Sequence, residues 1–260
     1  MAKADSQRLT KQQRREAARE EARRLREEQE RRDKRNRMLM IAGVIGIIVL
    51  AIAATAAIIV NSNRSPLDGA EGPQGAVEGG IPINAELVAG QEGAGEVVVD
   101  VYLDYACSWC AVFEDRYADA IHELAAGGEA NFWFHPVAIL DPTGDFTGFS
   151  GLAANAAGTV AHLSPEYFVP FHEQLFVAYA ANPASGLSEI EQAAAVAGVP
   201  QDVIDRFGAG EFRDWTEGST RLFLTDVAQG TPHILVDGEV IDWNQENGLQ
   251  DAIAAAAAEG

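Results

Sequence analysis

Charged helix formers come first along this chain, then an unbroken apolar run, then alternating and helical patterns in turn. Residues 11–32, KQQRREAAREEARRLREEQERR, mix charges with helix formers and lack apolar heptads. They predict a solvated charged helix whose basic end could lie against anionic lipid, not a coiled coil. Residues 38–60, MLMIAGVIGIIVLAIAATAAIIV, carry no charge at all. As a helix they extend about 34 Å, enough for the ~30 Å hydrocarbon core of a bilayer. A soluble buried helix rarely runs that far without a polar residue. A signal peptide usually has a shorter apolar stretch and leader, although ATA at 54–56 resembles a cleavage site. The reading is a transmembrane helix at 38–60 behind a cytoplasmic charged segment at 1–37. Residues 61–80 are rich in Gly, Pro, Ser and Asn. They predict a flexible linker spanning about 25 Å, with the folded domain over 81–260.

Inside that domain the period changes repeatedly. EVVVDVYLDY (96–105) is β-branched and aromatic, and predicts a strand. SWCAVFEDRYADAIHELAAG (108–127) places Val112, Phe113, Tyr117, Ala120, Ile121 and Leu124 at helical spacing, with Gly127 and Gly128 as the stop. ANFWFHPVAIL (130–140) predicts a second strand, in which Pro136 marks an edge, an end or a bulge. INAELV (83–88) predicts an early strand. The stretch from 146 to 229 reads as helices with starts near Ser164-Pro165, Ser188 and Pro200. Phe168, Phe171, Leu175 and Phe176 are its expected core. HILVDG and EVIDW flank Asp237-Gly238 and predict a hairpin, and NQENGLQDAIAAAAAEG predicts a closing helix. The sum is an α/β domain: a sheet with helices packed on it and a helical insertion over 146–229.

Charge divides the chain at the membrane segment. Residues 1–37 hold 14 Lys and Arg against 8 Asp and Glu, while the remainder holds only 5 Arg against 31 acidic residues. The basic block RRDKRNR (31–37) abuts the apolar run, and the far side carries only Arg64. The bias predicts an N-terminus in the cytoplasm and an extracytoplasmic domain in a single-pass membrane protein. So acidic a domain excludes a nucleic-acid-binding role.

Both cysteines, Cys107 and Cys110, sit in YLDYACSWC. A structural disulfide across so short a loop removes only ~2 kcal/mol of unfolded-chain entropy. Zinc takes roughly four ligands, whereas there are two Cys, and His122, His135, His162, His172 and His233 show no ligand spacing. No metal and no cofactor are expected. Between a strand and a helix, Cys107 falls at a helix N-terminus, where free N–H groups and the dipole stabilise a thiolate. Cys110, one turn on, can reach back and resolve a mixed disulfide. The extracytoplasmic side is also where disulfides persist. GTPHILVDG places Thr231-Pro232 before a strand, either an ordinary turn or a cis-proline facing the cysteines.

VDVYLDYACSWC, the inserted helices and GTPHILVDG together resemble the thioredoxin fold, and within it the DsbA-like thiol–disulfide oxidoreductases. The anchor and single domain resemble membrane-tethered actinobacterial members. The resemblance implies Cys107 as nucleophile, Cys110 as resolving cysteine, Pro232 as cis-proline, and Thr231 and Trp109 at the substrate site. It implies exported protein substrates with thiols or disulfides. It also implies a membrane redox partner, a quinone-linked oxidase or a thiol reductant. Three positions depart from the family pattern: Ser108 replaces a common Pro, Trp109 replaces the His of strong oxidants, and Val101 replaces a buried acid. Asp104, out of register, is close enough in sequence to oppose a thiolate. The expectation is a Cys107 pKa below ~8.5 but above ~3.5, with disulfide formation as the favoured direction. The alternatives are a reductase, as in cytochrome c maturation, and a tethered binding or chaperone module without redox turnover.

Overall fold

A computed structural model describes residues 11–62, 65–142 and 144–259. The chain divides into two units at Arg64–Ser65. The first is α1 (Lys11–Ser62), a single helix that joins the charged and apolar stretches without a break. Arg23 and Glu27 pair across one turn at 3.1 Å. Thr55 Oγ1 donates to Ala51 O at 2.8 Å, satisfying its hydroxyl within the helix. The helix is long and apolar enough to cross a membrane, with an 18-residue window of mean hydropathy 2.7.

The second unit begins earlier than the sequence suggested. Residues 61 and 62 belong to α1, and residues 65–80 are not a free tether. Leu67, Ala70 and Ala76 pack on the core. The Gln74 N–H donates to His162 Nδ1 at 3.1 Å. Val77 and Gly80 exchange backbone hydrogen bonds at 3.0 and 2.8 Å. Gly218 lies so close to this segment that a Cβ there would sit 2.8 Å from Pro66 O. Small residues let the segment approach, and its few apolar side chains gain a surface to cover.

The sheet has the order β1-β3-β2-β4-β5. Its centre is β2 (Val97–Leu103), parallel to β3 (Ala130–Pro136) and antiparallel to β4 (His233–Val236). Val97, Val99, Val101 and Leu103 alternate into the core, as strand periodicity requires. The early strand falls at β1 (Ile81–Ile83), not at 83–88. Asn84 Oδ1 accepts from the Glu86 and Val88 N–H groups and turns the chain. The second strand stops at Pro136, and the next N–H, on Val137, bonds instead to Leu103 O. The hairpin turn has positive φ at Asp237 and Gly238, 48° and 82°, which matches strand twist. Its second strand, β5 (Glu239–Val240), is short.

Helix α2 (Ser108–Ala126) buries Cys110, Phe113, Glu114, Tyr117 and Ile121. Val112, expected to face inward, is 40% exposed. The insertion comprises α3 (Phe149–Leu163), α4 (Phe168–Ala181), α5 (Leu187–Ala197), α6 (Gln201–Ile204), α7 (Arg213–Leu222) and a π turn at Phe223–Val227. Its aromatic stripe is core as expected: Phe168, Phe171 and Leu175 are fully buried. Each such burial contributes ~1.5–3 kcal/mol. Asn155 ties the insertion internally, donating to Phe207 O at 3.0 Å and accepting from the Phe212 N–H at 2.9 Å. Phe168 meets Phe134 of β3, joining insertion to sheet. Helix α8 (Gly248–Glu259) closes the fold and buries Leu249 and Ile253.

Candidate active site

Strand β2 ends at Leu103, and the chain turns into α2 through Asp104, Tyr105 and Ala106. The Cys107 N–H bonds back to Asp104 O at 2.9 Å, and Cys107 is the extended N-cap residue of α2. Cys107 and Cys110 are both free thiols. Cys107 is 8% exposed and Cys110 1%.

The two sulfurs are electrostatically unequal. Cys107 is lowered from an ordinary 9.0 to about 5. The largest cause is the hydrogen bond from the Cys110 thiol, which outweighs the opposing desolvation. The Thr231 side chain and the N–H groups of Cys110 and Trp109 add to it. These are the open donors of a helix N-terminus. Cys110 is pushed up, first by burial and then by its bond to Cys107 and that neighbour's charge. One sulfur therefore ionises readily, and the other holds its proton until the first is consumed.

Thr231 lies against this pair, with Pro232 next along the chain. Their peptide bond is cis. The protonated Cys107 Sγ donates to Thr231 O at 3.4 Å, a contact that ionisation of the thiol gives up. His233 follows at the start of β4, its ring beside Phe223 and Tyr102. Burial holds its pKa below the usual value. Trp109 stands 61% exposed.

Sequence reasoning placed Asp104 near the sulfurs but missed what holds it. Asp104 is fully buried. Its carboxylate accepts from Ser150 Oγ at 2.6 Å, the Ala106 N–H at 2.8 Å and the Leu140 N–H at 2.9 Å. Burial, with a smaller part from the charge of Cys107, raises its pKa to about 6 against these three donors. A second buried group was also missed. Tyr105 Oη donates to His172 Nδ1 at 3.0 Å, and His172 Nε2 donates to Glu114 Oε2 at 3.3 Å. Nothing in the periodicity marks Ser150, His172 or Glu114 as partners, since they lie on three different helices.

A family model described as Thioredoxin matches residues 84–255. The chain belongs to the thioredoxin family. Its fold is shared with solved structures. One is the MdbA thiol-disulfide oxidoreductase of Actinomyces oris, at 22% identity and TM-score 0.59, covering 74% of this chain and 96% of that one. The reduced disulfide bond oxidoreductase DsbG of Mycobacterium tuberculosis matches at 26% identity and TM-score 0.52, covering 62% and 78%. BdbD of Bacillus subtilis matches at 22% identity and TM-score 0.53, covering 72% and 97%. No curated protein matches the chain. The fold of this thioredoxin-family member is DsbA-like, as its motifs implied.

Proposed function

We propose that the protein is a membrane-anchored thiol–disulfide oxidoreductase that forms disulfides in exported proteins. The observation that carries this reading is the inequality of the two sulfurs: Cys107 at about 5 and Cys110 raised by burial. Stabilising the thiolate stabilises the reduced pair, which makes the oxidised pair an oxidant. The names of the DsbG and MdbA neighbours support the same chemistry.

In the oxidised enzyme Cys107 and Cys110 share a disulfide. A substrate thiolate attacks Cys107 Sγ, the Cys107–Cys110 bond breaks, and Cys110 leaves as a thiolate that takes up a proton. A second substrate thiolate then attacks the substrate sulfur of the mixed disulfide. Cys107 leaves as the stabilised thiolate. The substrate loses two electrons and the enzyme pair gains them. The Thr231 backbone and Trp109 hold the extended substrate segment beside Cys107. A membrane oxidase of quinone-linked type removes the electrons. The basic block at 31–37 keeps the N-terminus in the cytoplasm and the catalytic domain outside.

The test uses the full-length chain in detergent micelles, with an unfolded dithiol protein for exchange and the disulfide-bonded form of the same protein for trapping. Cys107→Ser should abolish exchange, and Cys110→Ser should accumulate Cys107–substrate mixed disulfides. A Cys107→Ser protein that still exchanges disulfides, or a Cys110→Ser protein that traps nothing, would refute the assignment. A measured potential near that of thioredoxin, ~−270 mV, would reverse the direction to reduction.

A further inference from the structure

Strand pairing ends at Leu103 and α2 begins at Ser108, so residues 104–107 alone set the helix start against the sheet. This loop is built into the redox pair. The Asp104 carbonyl accepts the Cys107 N–H at 2.9 Å. The Asp104 N–H reaches Cys110 and acts to lower its pKa against the effect of burial. A turn of the peptides beside Asp104 or Tyr105 therefore moves hydrogen bonds made by both cysteines.

The two polar side chains of the loop both reach the helical insertion. Asp104 accepts from Ser150 Oγ of α3 at 2.6 Å. Tyr105, fully buried, donates to His172 Nδ1 of α4 at 3.0 Å and meets that ring edge-on. His172 is itself held fast. Its ring is fully buried among Phe134 of β3 and Phe168 and Phe176 of α4. Its Nε2 bonds to Glu114 Oε2 of α2 at 3.3 Å. The two nitrogens thus bracket the redox pair: Tyr105 precedes Cys107 by two residues, and Glu114 follows Cys110 by four. An apolar side chain would fill the same space among the phenylalanines and tie neither end.

We infer that His172 is a positioning residue for the Cys107–Cys110 pair, holding the loop before it and the helix after it in one register. The inference rests on the oxidoreductase reading and gives the helical insertion a part in setting the reactivity of the pair. His172 makes its hydrogen bonds to Tyr105 and Glu114 and acts through them. Without it the loop is free to turn at Tyr105, and hydrogen bonds weaken steeply as they lose alignment. The donors at Cys107 are what favour its thiolate, so their misalignment raises the thiol toward its ordinary value. A less stable thiolate makes the reduced pair less stable and the disulfide a weaker oxidant.

The experiment uses the full-length chain in detergent micelles. One readout is the Cys107 thiolate midpoint by ultraviolet absorbance. The other is the equilibrium constant of the Cys107–Cys110 disulfide with glutathione at pH 7. Tyr105→Phe removes one hydroxyl and keeps the ring, whereas His172→Leu removes both bonds. Each should raise the midpoint by about half to one pH unit and weaken the oxidant by the same factor, roughly threefold to tenfold. The double variant should match His172→Leu, because both single changes break the same contact. Phe171→Leu is the control, since Phe171 is buried on α4 against Phe207, within the insertion. It should lower the Tm and leave both readouts at their native values. Tyr105→Phe and His172→Leu proteins that lose Tm but keep both native readouts would make His172 purely structural and overturn the inference. An equal shift in Phe171→Leu would mean general loosening and overturn it too. If His172→Leu does not fold, the comparison of Tyr105→Phe with Phe171→Leu decides. A native chain that titrates near pH 8 and exchanges nothing with glutathione overturns the oxidoreductase reading itself, before any variant is compared.

Discussion

Cys110→Ala isolates the contact that most stabilises the Cys107 thiolate. In the native pair the Cys110 thiol donates to Cys107, and this is the largest cause of the fall from 9.0 to about 5. A hydrogen bond to a charged group contributes ~1.5–3 kcal/mol. One pKa unit corresponds to about 1.4 kcal/mol. Losing the donor should therefore move the Cys107 midpoint up by about one to two units. The Thr231 side chain and the helix N–H groups remain in place and keep it below an ordinary thiol. The assay is thiolate ultraviolet absorbance against pH, checked by the pH dependence of alkylation by iodoacetamide. Burial keeps Cys110 protonated across the range, so the native chain should show a single thiol midpoint near 5. A native midpoint near pH 8, or a variant midpoint unchanged from native, would refute the reasoning. The same shift has a redox consequence. At pH 7 it stabilises the reduced pair by ~2.7 kcal/mol, equivalent to about 60 mV.

Two further outcomes follow from the same site. Cys107 is depressed in the folded reduced chain, so its stabilisation is present above the unfolded thiol value and is lost as pH falls toward 5. The reduced form should exceed the oxidised form in thermal stability at about pH 8 and converge on it near pH 5, measured by calorimetry; a pH-independent gap would count against the thiolate. Ser150→Ala removes the 2.6 Å donor to buried Asp104. Asp104 is raised to about 6, so its charged form is present above that value. The variant should lose ~1.5–3 kcal/mol at about pH 8 and much less near pH 5. Equal losses in denaturant titrations at both pH values would exclude this account.

Several features were legible in the residues. The apolar run at 38–60 needed only its length. The β2 alternation and the α2 stripe needed only periodicity, and they brought Cys107 to a helix N-terminus because a strand ends four residues before it. Thr231 and Pro232 were legible as a turn before a strand. Their approach to Cys107 was not, since 124 positions separate Cys107 from the Thr231 carbonyl it contacts.

Tertiary structure also corrected a composition argument. Residues 65–80 have the makeup of a linker, but small residues are also what a segment needs to lie close to α7. Composition reports chain entropy and cannot report an available surface. The same limit explains the polar partners. Ser150, His172 and Glu114 show no local pattern, because a buried hydrogen bond is specified by where helices cross and not by spacing along one of them. The sequence by itself determined a helix long and apolar enough to cross a membrane, an α/β domain and a Cys-x-x-Cys pair at a helix start, all consequences of local period and length. Only the packed fold decided how unequal the two sulfurs are and what holds Asp104. Those properties depend on dielectric and on donors from distant elements, which exist only once the chain has folded.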